Sequence, residues 1–127
     1  MQKIKLPGVP EPKGHYSPAV EHNGLIFVSG QLPMNHATGE AETGAIETQT
    51  ELALRNVEAI LTAAGSDLQH VLQMTIYVSE MEHWDKVNEV YQRILGEHKP
   101  ARAIVPVKTL HFGTQIEIQA IAAVKGQ

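Results

Sequence analysis

The chain has 127 residues, of which 43% are hydrophobic and 19% charged, and ten basic against fourteen acidic residues leave a net charge of −4. This length and balance fit one folded domain, and the acidic excess argues against a nucleic-acid partner. With no cysteine, disulfides, thiolate metal sites and a cysteine nucleophile are excluded. No apolar run approaches the roughly 20 residues that cross a bilayer. The first residues carry Lys3 and Lys5 but no apolar stretch after them, so they do not read as a secretion signal, and a cytoplasmic setting is the default.

Residues 1–13 contain Pro7, Pro10 and Pro12 and read as an extended arm with little structure of its own. Residues 16–31 read as a β-hairpin, because two extended runs flank Asn23-Gly24, the preferred pair for a two-residue turn. From about 45 to 64, Ala53, Leu54, Val57, Ile60, Leu61 and Ala64 recur on one helical face, and Gly65 stands at the C-cap. Residues 71–79 alternate: Leu72, Met74, Ile76 and Val78 point one way, and Gln73, Thr75, Tyr77 and Ser79 the other. A second helix is expected over about 81–95, with Trp84, Val87, Tyr91 and Ile94 as its apolar stripe. Short strands follow at 102–107 and 115–124. The order β-β-α-β-α-β-β predicts an α+β domain with two helices packed on one face of a sheet.

On the last strand, Ile116, Ile118, Ala120, Ala122 and Val124 line one face. The opposite face begins polar at Gln115, Glu117 and Gln119 and turns apolar at Ile121 and Ala123. A sheet face open to water should stay polar. The partly apolar second face therefore predicts self-association.

Two charged residues sit among apolar neighbours: Arg102 in Ala-Arg-Ala-Ile-Val-Pro-Val, and Glu117 between Ile116 and Ile118. A guanidinium offers a rigid fork for a carboxylate, so Arg102 is a candidate grip for a small acid, with Glu117 placing or deprotonating a water beside it. The two side chains pairing with each other, or lying on a solvated face, would explain the same spacing. Asn88 borders the apolar stripe of the second helix, where an amide usually has a hydrogen-bonding role. Tyr16 and Ser29 lie on the hairpin, and Gly30 after Ser29 marks close backbone approach. No motif makes Ser29 a nucleophile. The seven histidines show no metal-ligand spacing, and there is no phosphate-binding glycine loop.

The run from Pro100 to Leu110 (Pro-Ala-Arg-Ala-Ile-Val-Pro-Val-Lys-Thr-Leu), followed after five residues by Ile116-Glu117-Ile118, closely resembles the C-terminal signature of the RidA (YjgF/YER057c/UK114) family. Gly14-His15-Tyr16-Ser17, Ser29-Gly30-Gln31-Leu32-Pro33, Thr38-Gly39-Glu40, Gln49-Thr50 and Ala64-Gly65 agree with it, so the match covers nearly all the chain after the arm. The resemblance implies a fold like chorismate mutase of the bacillus type and a homotrimer with clefts between subunits. It implies hydrolysis of 2-aminoacrylate-type enamines and imines to 2-keto acids and ammonia, as in a 2-iminobutanoate/2-iminopropanoate deaminase, with no cofactor and no metal. It assigns Arg102 to the substrate carboxylate, Glu117 to the water, and Tyr16, Ser29, Gly30, Asn88 and Ile104 to supporting contacts. The chain departs from the family pattern at Ile104, where many deaminating members have cysteine. It departs also at Gln119 for a second acid, His15 for proline and Pro18 for glutamine. Two alternatives to the deaminase are a non-catalytic regulator that binds a small carboxylate and an RNA-cleaving translation inhibitor.

Overall fold

The computed structural model describes residues 1–126. Eight regular elements follow one another: β1 (Gln2–Ile4), β2 (Ala19–His22), β3 (Leu25–Gln31), α1 (Ile46–Ala63), β4 (Val71–Val78), α2 (Trp84–Leu95), β5 (Ala101–Pro106) and β6 (Ile116–Ala123). They form a mixed α+β fold with one six-stranded sheet, ordered β1-β2-β3-β6-β4-β5. Only β4 and β5 run parallel, joined through α2 in a βαβ crossover; every other pair is antiparallel.

One correction concerns the N-terminal arm. It is not wholly irregular, because Gln2–Ile4 pairs with Ala19–His22 and places Ile4 in the core. The strand order is thus β-β-β-α-β-α-β-β. A three-residue strand ahead of three prolines leaves little periodicity to read. The hairpin forms around Asn23 (φ 52°) and Gly24 (φ 81°), the positive angles its turn requires. Its first strand begins at Ala19, so Tyr16 and Ser17 precede the ladder.

Helix α1 buries Ala53, Leu54, Val57, Ile60 and Leu61 as its spacing predicts. It ends in a Schellman motif: Ser66 N–H donates to Leu61 O (2.8 Å) and Gly65 N–H to Thr62 O (3.1 Å). Two buried polar side chains tie loops to it. Asn56 donates to the carbonyls of Leu32 and Met34, and Gln49 Oε1 accepts the backbone N–H of Gln115 at 2.8 Å. The second tie fixes the chain two residues before Glu117.

The alternation in β4 holds from Met74 to Val78 but fails at Leu72, which is 49% exposed while Val71 is fully buried. A register shift between Val71 and Gln73 against β6 reverses the facing there. The first turn of the second predicted helix is a 3-10 turn, Met81–His83, so α2 proper starts at Trp84.

The core lies between the sheet and the helices. Met74, Ile76, Ile116, Ile118 and Leu54 are fully buried, each side chain contributing about 1.5–3 kcal/mol relative to exposure. Among the described residues no helix or strand covers the other face of the sheet, which carries Leu25 and Phe27, 36% and 44% exposed, with Phe27 directly opposite Ile121. Among the described residues, no helix is long and apolar enough to cross a membrane.

Candidate functional site

The polar residues singled out from the sequence form two groups. The first gathers on β5 and α2. Parallel pairing sets Arg102 opposite Met74 and Ile104 opposite Ile76. Both partners are fully buried beneath the helices, so Arg102 and Ile104 project to the helix side of the sheet. Arg102 Nη1 donates to Asn88 Oδ1 at 2.8 Å. Its guanidinium carbon lies 4.8 Å from the centroid of the Tyr91 ring and 5.6 Å from that of Trp84. Such cation–π contacts hold a guanidinium in place with about 0.5–2 kcal/mol each. Trp84, Asn88 and Tyr91 stand at i, i+4 and i+7 and thus share one face of α2.

Among the described residues, Arg102 has no carboxylate within ion-pair distance. The fork is anchored at one nitrogen by a neutral amide and keeps the rest of its donors. It borders a cavity of about 590 Å³ lined also by Asn88, Tyr91, Leu95, His98 and Pro100. β5 is an edge strand. Val107 N–H donates to Val78 O, so by alternation the backbone groups of Ile104 face away from β4, where no strand takes them up.

The second group gathers where β3 meets β6. Glu117 lies opposite Tyr77, on the face that the helices leave open. Its carboxylate crosses Gly30 so closely that a Cβ there would lie 2.7 Å from Oε2. Gly30 sits in a bulge, since Val28 pairs with Ala120 but Gln31 with Ile118, one residue more on β3 than on β6. The close approach expected of this glycine is therefore to a side chain. Ser29 Oγ donates to Ser17 O at 2.7 Å, and Ser29 N–H donates to Pro18 O at 2.9 Å. These bonds hold the segment carrying Tyr16 beside Gly30. Tyr16 is exposed, with its ring folded onto Gly14.

Burial raises the Glu117 carboxyl above the ordinary carboxylate range, and the nearby charge of His111 opposes the rise. Half-buried, with no hydrogen-bond donor to it among the described residues, the carboxylate is suited to accept a proton. His111 stacks on Phe112 with ring centroids 3.8 Å apart.

Of the two alternatives that spacing left open, mutual pairing does not occur, and only Glu117 lies on the open face of the sheet. Arg102 does not meet Glu117, because β4 lies between their strands and they project from opposite faces. Nor does Arg102 lie on a solvated face. The hydrogen bond expected of Asn88 is present, and its partner is Arg102 itself. What the sequence reading missed is the part of Trp84 and Tyr91, assigned to the apolar stripe. The signal was their heptad-like spacing around an asparagine. Among the described residues, no three His, Asp or Glu side chains gather as metal ligands.

A family model described as endoribonuclease L-PSP matches residues 8–124. A RutC family protein of Pyrococcus horikoshii is 44% identical over 113 residues, covering 89% of this chain and 90% of the relative. The protein HMF1 of Saccharomyces cerevisiae is 36% identical, covering 90% and 88%. Among solved structures, the YjgF gene product of E. coli superposes with a TM-score of 0.90 at 33% identity over 97% of this chain and 98% of that one. E. coli TdcF, solved with bound serine, superposes with a TM-score of 0.90 at 32% identity over the same shares. A match that runs from the arm to the end of β6, in sequence and in backbone alike, leaves one conclusion: the chain belongs to the RidA (YjgF) family, the family described as endoribonuclease L-PSP.

Proposed function

We propose that the protein hydrolyses 2-aminoacrylate-type enamines and imines to 2-keto acids and ammonia. The observation that carries this reading is Arg102: a part-buried guanidinium, aimed by Asn88 and two aromatic rings, without a carboxylate of its own. A fork so held is matched to the planar carboxylate of a small acid. The outward N–H of Ile104 supplies a further donor beside it.

The chemistry is short. A 2-imino acid bound through its carboxylate holds its C=N carbon at a fixed distance from the fork. Glu117 takes a proton from a water as the water oxygen bonds to that carbon, giving a carbinolamine. The same carboxyl returns the proton to nitrogen. The C–N bond then breaks with its electron pair on nitrogen, the hydroxyl proton passes through Glu117 to the departing ammonia, and a keto acid and ammonium leave. A protonated imine is electrophilic already, so positioning and one proton carrier suffice. Gly30 gives the Glu117 carboxylate room, and Ser29 ties down the segment that carries Tyr16 beside Gly30.

One chain does not offer Arg102 and Glu117 to the same small molecule. The reading therefore needs two copies, the open face of one carrying Glu117 towards the Arg102 edge of the next. The homotrimer implied by the family supplies that arrangement, and the exposed Leu25 and Phe27 on the open face supply apolar area for it.

The test generates 2-aminoacrylate in situ with a pyridoxal-phosphate serine dehydratase and follows pyruvate and ammonia. Micromolar protein is expected to shorten the lifetime of the intermediate well below that in buffer. No acceleration sinks the proposal. A second reading has one observation behind it: E. coli TdcF, similar throughout, is solved with serine, an amino acid whose carboxylate such a fork would suit. Keto-acid binding without turnover would favour a carboxylate-sensing protein. Ribonuclease activity fits a net charge of −4 poorly, and RNA cleavage that survives Arg102→Ala would not come from this site.

A further inference from the structure

Among the described residues, one side-chain polar atom is fully buried and has no hydrogen-bond partner: the hydroxyl oxygen of Tyr91. The residue is 6% exposed. Its ring lies 4.8 Å from the Arg102 guanidinium carbon, and it lines the same cavity as Arg102 and Asn88. The nearby polar groups are already engaged. Asn88 Oδ1 accepts from Arg102, and His98 Nε2 bonds Val71 O at 2.7 Å.

Packing explains the ring but not the hydroxyl. A phenylalanine would fill the same volume, offer the same face to the guanidinium and carry no buried polar atom. Buried polar groups in native proteins almost always find a partner, and leaving one without is unfavourable. Burial also pushes the phenol pKa up, with the Arg102 charge opposing, so the group keeps its proton and is a donor. A donor with no protein partner, on a residue that lines the same cavity as a cation with no carboxylate of its own, marks a place prepared for an anion.

We propose that Tyr91 is a further binding residue of the anion subsite: its hydroxyl finds no protein partner in the free chain and donates to the carboxylate that Arg102 grips. This deepens, and rests on, the reading of Arg102 as a carboxylate grip. Ligand binding then relieves an unfavourable feature of the free chain. Stability and affinity move in opposite directions when the hydroxyl is removed.

The experiment compares the full-length protein with Tyr91→Phe and Tyr91→Leu. The probes are pyruvate and acetate, with chloride as control, and binding is read by calorimetry and by the fluorescence of Trp84, the single tryptophan. Tyr91→Phe is expected to melt higher than wild type without ligand, by roughly 3–6 °C, and to bind pyruvate about tenfold more weakly. Tyr91→Leu, which loses the ring as well, is expected to melt lower and bind more weakly still. A Tyr91→Phe variant that melts no higher, or that binds pyruvate as wild type does, overturns the proposal. Wild-type protein that binds carboxylates but hydrolyses no imine overturns the deaminase reading and leaves this one standing. Wild-type protein that binds neither probe overturns both.

Discussion

Arg102 and Glu117 belong to one sheet but project from its opposite faces, with β4 between their strands. Two strand spacings are already about 10 Å, and the sheet itself separates the side chains. A three-carbon acid cannot touch both in one chain. If the reaction needs both, each site takes Arg102 from one copy and Glu117 from another. Arg102→Ala and Glu117→Gln proteins should each be inactive alone. Unfolded together at equal amounts and refolded, they should regain about a quarter of wild-type activity, since that share of random interfaces pairs an intact arginine with an intact glutamate. A mixture as dead as its components would place both residues in one chain's site, or neither in any.

The manner in which Arg102 is held gives a second prediction. Asn88 anchors one nitrogen, and the guanidinium carbon lies 4.8 Å from the centroid of the Tyr91 ring and 5.6 Å from that of Trp84. Arg102→Lys keeps the charge but loses the fork. Turnover of 2-iminopropanoate should fall by a factor of about 100 or more in kcat/KM, most of it through orientation. Asn88→Ala, which frees the anchored nitrogen without removing the cation, should have a smaller effect, seen chiefly in KM. Steady-state kinetics with wild-type folding by circular dichroism checks both. Equal losses in the two variants would count against orientation by the fork.

Glu117 links pH to activity and stability with signs that can be worked out. Burial raises its pKa in the folded chain, so folding favours the protonated carboxyl. The stabilisation from the protonated form is complete below the ordinary glutamate pKa and disappears as pH rises through the higher folded value. Above that folded value the ionised group is therefore a burden on the fold. Glu117→Gln should melt higher than wild type at pH 7–8, and the gain should shrink towards pH 4. Deaminase activity should be lost at every pH. In the wild type, the acidic limb of the kcat/KM profile should lie above the usual carboxylate range. A melting difference that is constant across pH would detach Glu117 from this account.

Gly30 separates sterics from charge. A Cβ at this position meets Oε2 of Glu117 at 2.7 Å and the carboxyl carbon at 3.0 Å. The clash is with the end of a side chain, so Gly30→Ala should fold, with a modest loss of stability as the carboxylate swings aside. If Glu117 positions the attacking water, the displaced carboxylate loses that placement, and a shift of about 1 Å can lower a rate about 100-fold. We expect kcat to drop at least tenfold while pyruvate binding changes little. Unaltered kcat in a folded Gly30→Ala protein would mean that the position of Glu117 is not critical.

How much of this was legible in the sequence follows from the reach of each signal. Helix α1, the Asn23-Gly24 turn and most of β4 come from local periodicity and turn chemistry, which act within a few residues. Leu72 was misread because a bulge depends on how β4 registers against β6, fifty residues away. The pairing of Gln2–Ile4 with Ala19–His22 was hidden for the same reason. Within the site, Asn88 drew notice because an amide beside an apolar stripe is anomalous. Tyr91 did not, because a tyrosine in such a stripe is ordinary until its hydroxyl is found without a partner. The opposed facing of Arg102 and Glu117 needs the order β6-β4-β5, which no local pattern reveals.

The open sheet face carries the last prediction. Phe27 is 44% exposed and lies directly opposite Ile121, with Leu25 and Ala123 paired next to them. Together they make an apolar strip on the face that holds Glu117, and water is a poor cover for it. If another copy covers this strip, a charge in its middle opposes assembly far more than folding, because the side chain at 27 already points away from the core. Phe27→Asp should therefore remain folded but sediment as a single 13.9 kDa chain, where the wild type should sediment as an oligomer. Deaminase activity should vanish with the oligomer, although Arg102 and Glu117 are untouched. Activity per chain that stays at the wild-type level in a monomeric Phe27→Asp protein would show that one copy completes the site alone.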